Sequence, residues 1–161
     1  MIVKEIRDED FTSYKKPAMV IGFPSCSFKC CKEGNFPIET CQNCELAKAK
    51  NIEISVEQII ERYLSNPITS SVVCGGLEPM DSFEDLWRFI FCLRAKGCHD
   101  DVVIYTGYYK NEIPKEYLQR LTIAQNIVVK WGRFVPNQQP HFDKVLGIGL
   151  ASDNQYAEVI S

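Results

Sequence analysis

No stretch of the 161 residues stays apolar for the roughly eighteen positions that a membrane-spanning helix needs. The first ten residues, Met1 to Asp10, contain no apolar core followed by a small-residue cleavage site. The expectation is a cytoplasmic chain without membrane association. Positive charge is not in excess either, since 18 Lys and Arg against 21 Asp and Glu leave a net charge of -3, which argues against nucleic acid as a partner. The lysines Lys29, Lys32, Lys48 and Lys50 alternate with Glu33, Glu39 and Glu45, the pattern of a solvated surface and not of a phosphate track. Histidine is scarce. His99, close after Gly97, and His141, in a Pro-bearing loop, stand alone and read as surface residues. With no internal repeat and no low-complexity linker, residues 1–161 are expected to form one domain.

Cysteine is abundant and clustered. Cys26, Cys30, Cys31, Cys41 and Cys44 follow directly on the apolar run Ala18-Met19-Val20-Ile21-Gly22-Phe23. Packing needs apolar volume and not a repeated soft ligand, and in a reducing compartment a disulfide framework is disfavoured, so the spacing points to a metal or metal-sulfur site. Cys74, Cys92 and Cys98 each sit alone in an apolar or helical context and read as small hydrophobes.

Along the chain, period-two and period-3.6 segments alternate. After the first strand and its cysteine loop, about residues 24–44, Ser55 and Gln58 form a capping box for a helix with the stripe Val56, Ile59, Ile60, Tyr63 and Leu64. Ile68 to Cys74 is expected as a buried strand ending in Gly75-Gly76. A second helix is expected to open at Ser82, with Asp85 at the box position, the stripe Phe83, Leu86, Trp87, Ile90 and Phe91, and a stop at Gly97. Val102 to Tyr105 is the next strand. Pro114 falls in the first turn of a third helix bearing Tyr117, Leu118 and Leu121. The strand Ile127 to Trp131 comes next, then a loop from Pro136 to Pro140, a further strand over Val145 to Ile148 and a short tail.

Strand-helix alternation predicts an α/β fold with a parallel, right-handed sheet. Such sheets carry their chemistry beyond the C-terminal strand ends, so the cysteine loop, Gly75-Gly76 and Thr106-Gly107 are expected on one rim. Ligand count leaves alternatives open. Cys26, Cys30, Cys41 and Cys44 suit a structural zinc in a protein-binding module, or a closed cluster in a small electron carrier. Three of the thiols alone suit a 4Fe-4S cluster with one iron open.

Cys26-x-x-x-Cys30 after a first strand, Gly75-Gly76-Leu77-Glu78-Pro79 after a second, and Tyr105-Thr106-Gly107-Tyr108 after a third are three elements in order. Together they resemble the small radical S-adenosylmethionine enzymes, and most of all the activating protein of anaerobic ribonucleotide reductase. The tail is similar as well, with Gly132-Arg133-Phe134 and Ser152-Asp153-Asn154-Gln155; the likeness runs from about Ala18 to Gln155. Two departures stand out. Glu33 lies where such sequences place a third cysteine, with Cys41-Gln42-Asn43 arriving eight residues later, and Leu77 interrupts Gly-Gly-Glu-Pro.

The resemblance implies a partial, open (β/α)6-type barrel holding a 4Fe-4S cluster on Cys26, Cys30 and Cys41, with Cys31 turned away and Cys44 outside the ligand set. It implies S-adenosylmethionine, bound by its amino and carboxylate groups at the open iron. Gly75, Gly76, Leu77, Glu78, Thr106, Tyr108, Lys130 and Asn154 would line its site, Lys130 meeting the carboxylate. It implies reductive cleavage to methionine and a 5'-deoxyadenosyl radical, which takes hydrogen from a glycine of a large glycyl radical enzyme. An external electron donor such as a flavodoxin or ferredoxin is implied too.

Overall fold

The computed structural model describes residues 1–161. Its frame is one six-stranded sheet in the order β10-β7-β6-β5-β3-β2, accompanied by two two-stranded pieces. In chain order the elements are β1 (Ile2–Val3), β2 (Glu5–Asp10), β3 (Ala18–Phe23), α1 (Lys29–Gly34), α2 (Cys44–Lys48), β4 (Ile52–Glu53), α3 (Val56–Leu64), β5 (Ser71–Gly76), α4 (Phe83–Ala95), β6 (Asp101–Tyr105), α5 (Lys115–Ile123), β7 (Ile127–Trp131), β8 (His141–Asp143), β9 (Ile148–Leu150) and β10 (Tyr156–Val159).

The four central strands β3, β5, β6 and β7 pair in parallel, and helices α3, α4 and α5 cross between them. Both edges are antiparallel: β2 pairs with β3, and β10 with β7. The sheet is therefore mixed, and its edges do not meet. Of the six β/α units expected, only the four central strands obey that pattern. The edge strands come from segments too charged or too short to read as strands: β2 is Glu-Ile-Arg-Asp-Glu-Asp, and β10 falls in the expected tail.

Period two sorts the side chains. Met19, Ile21, Phe23, Val72, Cys74, Val102, Ile104, Val129 and Trp131 face the helices in a 24-residue core, and the alternate residues Val20, Val73, Val103 and Val128 face the other way. On that second face only Tyr14, Ala18, Leu146 and Leu150 complete a small cluster, so much of it remains open above the C-terminal strand ends.

The helices form for legible reasons. Ser55 accepts from Gln58 N at 3.1 Å and Gln58 Oε1 accepts from Ser55 N at 3.1 Å, the expected capping box of α3. Helix α4 departs from expectation at its start. A 3-10 turn over Pro79–Ser82 leads into it, and the Ser82 hydroxyl, instead of capping, meets Ser25 Oγ at 3.0 Å. Its buried stripe is Phe83, Leu86, Phe89, Ile90 and Leu93, while Phe91 is exposed, because the 3.6-residue period carries position 91 off the core side. Gly97, at φ +77°, ends that helix. Pro114 is the residue just before α5 and not within it. Val145 to Gly147 form a turn and not a strand, since the Asp143 carboxylate accepts from Val145 N and Leu146 N, both at 2.9 Å. Ile148–Leu150 supplies the strand.

Candidate metal centre

The parallel register places four strand exits side by side: Phe23 beside Gly76, Cys74 beside Ile104, and Tyr105 beside Lys130. Above them lies a cavity of about 400 Å³, within the range of small-molecule sites. Cys26, Cys30 and Cys41 border it, together with Gly75 to Glu78, Thr106 and Lys130. Nine of the eleven residues singled out in the sequence thus share one space. Tyr108 and Asn154 do not line it. The Tyr108 hydroxyl donates to Asp81 Oδ1 at 2.6 Å, and Asn154 Nδ2 donates to Arg133 O at 2.9 Å and Tyr109 Oη at 3.0 Å, so both brace neighbouring loops.

The cysteine loop is held locally. Phe28, in the left-handed region at φ +50°, turns the chain so that its N–H points back to Cys26 Sγ at 3.2 Å; Asn43 N donates likewise to Cys41 Sγ at 3.4 Å. Such N–H···S contacts favour thiolates, the form a metal takes. Burial pushes the Cys26 thiol up to about 11. A hydrogen bond from Cys41 lowers Cys30, and the same bond, with burial, raises Cys41. Binding iron would therefore displace protons from this group.

The two remaining loop cysteines are placed differently. Cys31 is buried, its Sγ 3.8 Å from that of Cys30, beside Phe36, Phe134 and Pro136. Cys44 begins α2, does not line the cavity and has its thiol 3.8 Å from Glu45 Oε1. No group of three or more His, Cys, Asp or Glu side chains converges closely enough to hold a single metal ion. Thiolates on one tetrahedral zinc stand about 3.8 Å apart, given a Zn–S length of about 2.3 Å. Cys26, Cys30 and Cys41 border the cavity together, and a 4Fe-4S cluster takes each thiolate on a different iron.

Two buried charged groups line the same cavity. Glu78 is buried, and its Oε1 accepts from Thr106 Oγ1 at 2.7 Å and Met80 N at 3.1 Å, while Oε2 accepts from Gly107 N at 2.8 Å. Burial nonetheless raises it to about 7. The Lys130 ammonium, also buried, donates to Gly132 O at 2.8 Å, its single partner, and desolvation lowers it to about 8. An ammonium has three protons to donate. Two are left over on a side chain that lines the cavity. Gly76 lies at φ +77°, and a Cβ there would stand 2.7 Å from Gly22 Cα, so only glycine fits where the end of β5 runs beside β3.

The chain matches the family described as a 4Fe-4S single cluster domain over residues 19–155, most of its length. It belongs to that family. The protein is accordingly a 4Fe-4S cluster-binding protein, which is compatible with redox chemistry, and the cysteines that border the cavity offer sulfur donors of the kind such a cluster takes. No curated protein was found to match the chain, and no helix is long and apolar enough to cross a membrane.

Sequence reasoning missed the edge-strand contribution. Glu5 and Arg7, two apart and so on one face of β2, also line the cavity, as do Tyr105 and Ile148–Leu150. The Glu-x-Arg spacing beside an apolar strand was the available signal.

Proposed function

We propose that this protein is a radical S-adenosylmethionine activating enzyme built on a partial, open barrel. In this reading Cys26, Cys30 and Cys41 hold the 4Fe-4S cluster and the cavity receives the cosubstrate. One observation supports it above others: three thiols, not four, border a ligand-sized space that is also lined by a buried ammonium with two unused donors. When bound, a cluster with one iron free of protein sulfur supplies the electron that splits the cosubstrate's sulfonium bond into methionine and a 5'-deoxyadenosyl radical, which takes a hydrogen atom from a partner's glycine.

The chain's own residues then bind, orient and shield. Lys130 pairs with the cosubstrate carboxylate, an interaction strengthened by the low dielectric that depresses its own pKa. Gly75 and Gly76 let backbone groups approach the methionine amino group. Glu78 ties the exits of β5 and β6 together, so the two halves of the site keep their spacing. Val20, Val73 and Leu150 give the cavity an apolar lining that helps to exclude water from the reacting atoms. The partner in this reading is a large glycyl radical enzyme, anaerobic ribonucleotide reductase first, the electron donor a flavodoxin or ferredoxin, and the setting the anaerobic cytoplasm.

Anaerobic reconstitution with iron and sulfide, then reduction and addition of S-adenosylmethionine, tests the reading. Methionine and 5'-deoxyadenosine in equal amounts support it. A stable cluster that leaves the cosubstrate intact supports the electron-carrier alternative instead.

A further inference from the structure

Helix α1, which carries Cys30, is fastened to the sheet by one group of four charges. Arg133, buried just after β7, forks onto Glu112, with Nη1 2.8 Å from Oε2 and Nη2 2.6 Å from Oε1. The same guanidinium reaches Glu33 on α1, with Nη2 3.2 Å from Oε1 and Nε 2.8 Å from Oε2, the latter an ion pair without hydrogen-bond alignment. Lys29, one turn earlier, places Nζ 2.5 Å from Glu112 Oε1 and 3.7 Å from Glu33 Oε1. The Arg133 guanidinium lies 4.8 Å from the centre of the Tyr109 ring. Two cations and two carboxylates thus close on each other, and the hydrogen bonds from Arg133 first of all hold Glu112 down at about 2.

The path of the chain beyond α1 depends on where that helix stops. Immediately after Glu33, a Cβ on Gly34 would fall 2.2 Å from the Phe36 ring, and Asn35 sits at φ +52°, so the chain folds back on itself with Phe36 N donating to Cys31 O at 2.9 Å. A 3-10 turn over Ile38–Thr40 then leads to Cys41 at the cavity edge. Phe134, next to Arg133, borders a small cavity together with Cys30, Cys31, Phe36 and Cys41.

We infer that Arg133 is a positioning residue for the third cluster ligand: its fork onto Glu33 and Glu112 sets the end of helix α1, and so the point from which the reversal at Gly34 delivers Cys41. The inference rests on the reading of Cys26, Cys30 and Cys41 as the ligands. A planar fork fixes direction as well as distance, which a lysine ammonium cannot do.

The full chain and the variants Cys41→Ala, Arg133→Ala, Arg133→Lys and Glu33→Gln are reconstituted anaerobically. Iron per chain and the electron paramagnetic resonance spectrum of the reduced cluster are then measured. Cys41→Ala checks the underlying reading, and iron retained at the unaltered level with an unaltered spectrum overturns that reading itself. With Cys41→Ala depleted of iron, the inference expects about tenfold weaker cluster retention or a changed spectrum in Arg133→Ala. Arg133→Lys should recover only part of it. Glu33→Gln should shift the spectrum in the same direction while its circular dichroism stays unaltered, because Glu33 is half-exposed and Arg133 keeps Glu112. Full iron and an unaltered spectrum in both Arg133→Ala and Glu33→Gln overturn the inference. So does iron loss in Arg133→Ala that merely tracks unfolding, with Glu33→Gln like the unaltered chain.

Discussion

The backbone N–H of Ser27 donates to Asp81 Oδ2 at 2.7 Å. This ties the loop between Cys26 and Cys30 to the turn after β5, and Asp81 Oδ1 holds the Tyr108 hydroxyl at 2.6 Å on the β6 side. One exposed carboxylate therefore joins the cysteine loop to two strand exits. Asp81→Ala should lower cluster retention by about tenfold while lowering Tm by only a few degrees, as expected for about 1 kcal/mol in a chain of this size. Iron content and thermal denaturation of the anaerobic protein measure the two effects separately.

The thiols separate by position. Cys44→Ala should bind iron as the unaltered chain does, because Cys44 does not line the cavity, whereas Cys41→Ala should lose the broad visible absorption of the cluster. The reverse pattern in anaerobic absorption spectra would exchange the two assignments.

Glu78 links pH to stability. Its folded value, about 7, lies above the usual 4.5, so between those values the folded chain binds the extra proton. Stability from this group is full below about 4.5 and falls as pH rises toward 7, with a total effect on the order of a few kcal/mol. Glu78→Gln, which does not titrate, should flatten that slope in urea denaturation between pH 4.5 and 7. It should also lower stability at acid pH by about 1–3 kcal/mol, because an amide cannot accept all three of the bonds from Thr106, Met80 and Gly107.

Lys130→Met should do the opposite to stability. Removing a buried ammonium with one acceptor spares its desolvation, and the cluster-free chain should gain about 1–3 kcal/mol. The same variant should form the cluster yet lose its spectral response to S-adenosylmethionine, since the carboxylate partner is gone. Unchanged affinity for the cosubstrate would contradict the role given to Lys130.

The central sheet was legible because buried parallel strands carry unbroken apolar runs such as Ala18–Phe23 and Ile127–Trp131, and because capping boxes such as Ser55–Gln58 are local signals. The shared rim was legible for the same reason, since parallel strands put their exits on one side. The edge strands were not. Glu5–Asp10 pairs on one side only and faces a cavity, so its charges are tolerated there and hide the strand. The charge group of Arg133, Glu112, Glu33 and Lys29 was equally hidden, because its members come from separate segments joined only by the fold. Cys41 was implied as a ligand only by the family resemblance of Cys41-Gln42-Asn43, and the reversal at Gly34 that brings it to Cys30 is a tertiary event.

The most direct test of an open iron is the electron paramagnetic resonance spectrum of the reduced, reconstituted protein before and after addition of S-adenosylmethionine. A shift of the cluster signal on addition, kept in Cys44→Ala and abolished in Lys130→Met, is the predicted result. A spectrum indifferent to the cosubstrate, together with loss of the cluster in Cys44→Ala, would mean that a fourth thiolate closes the site, and would contradict the account.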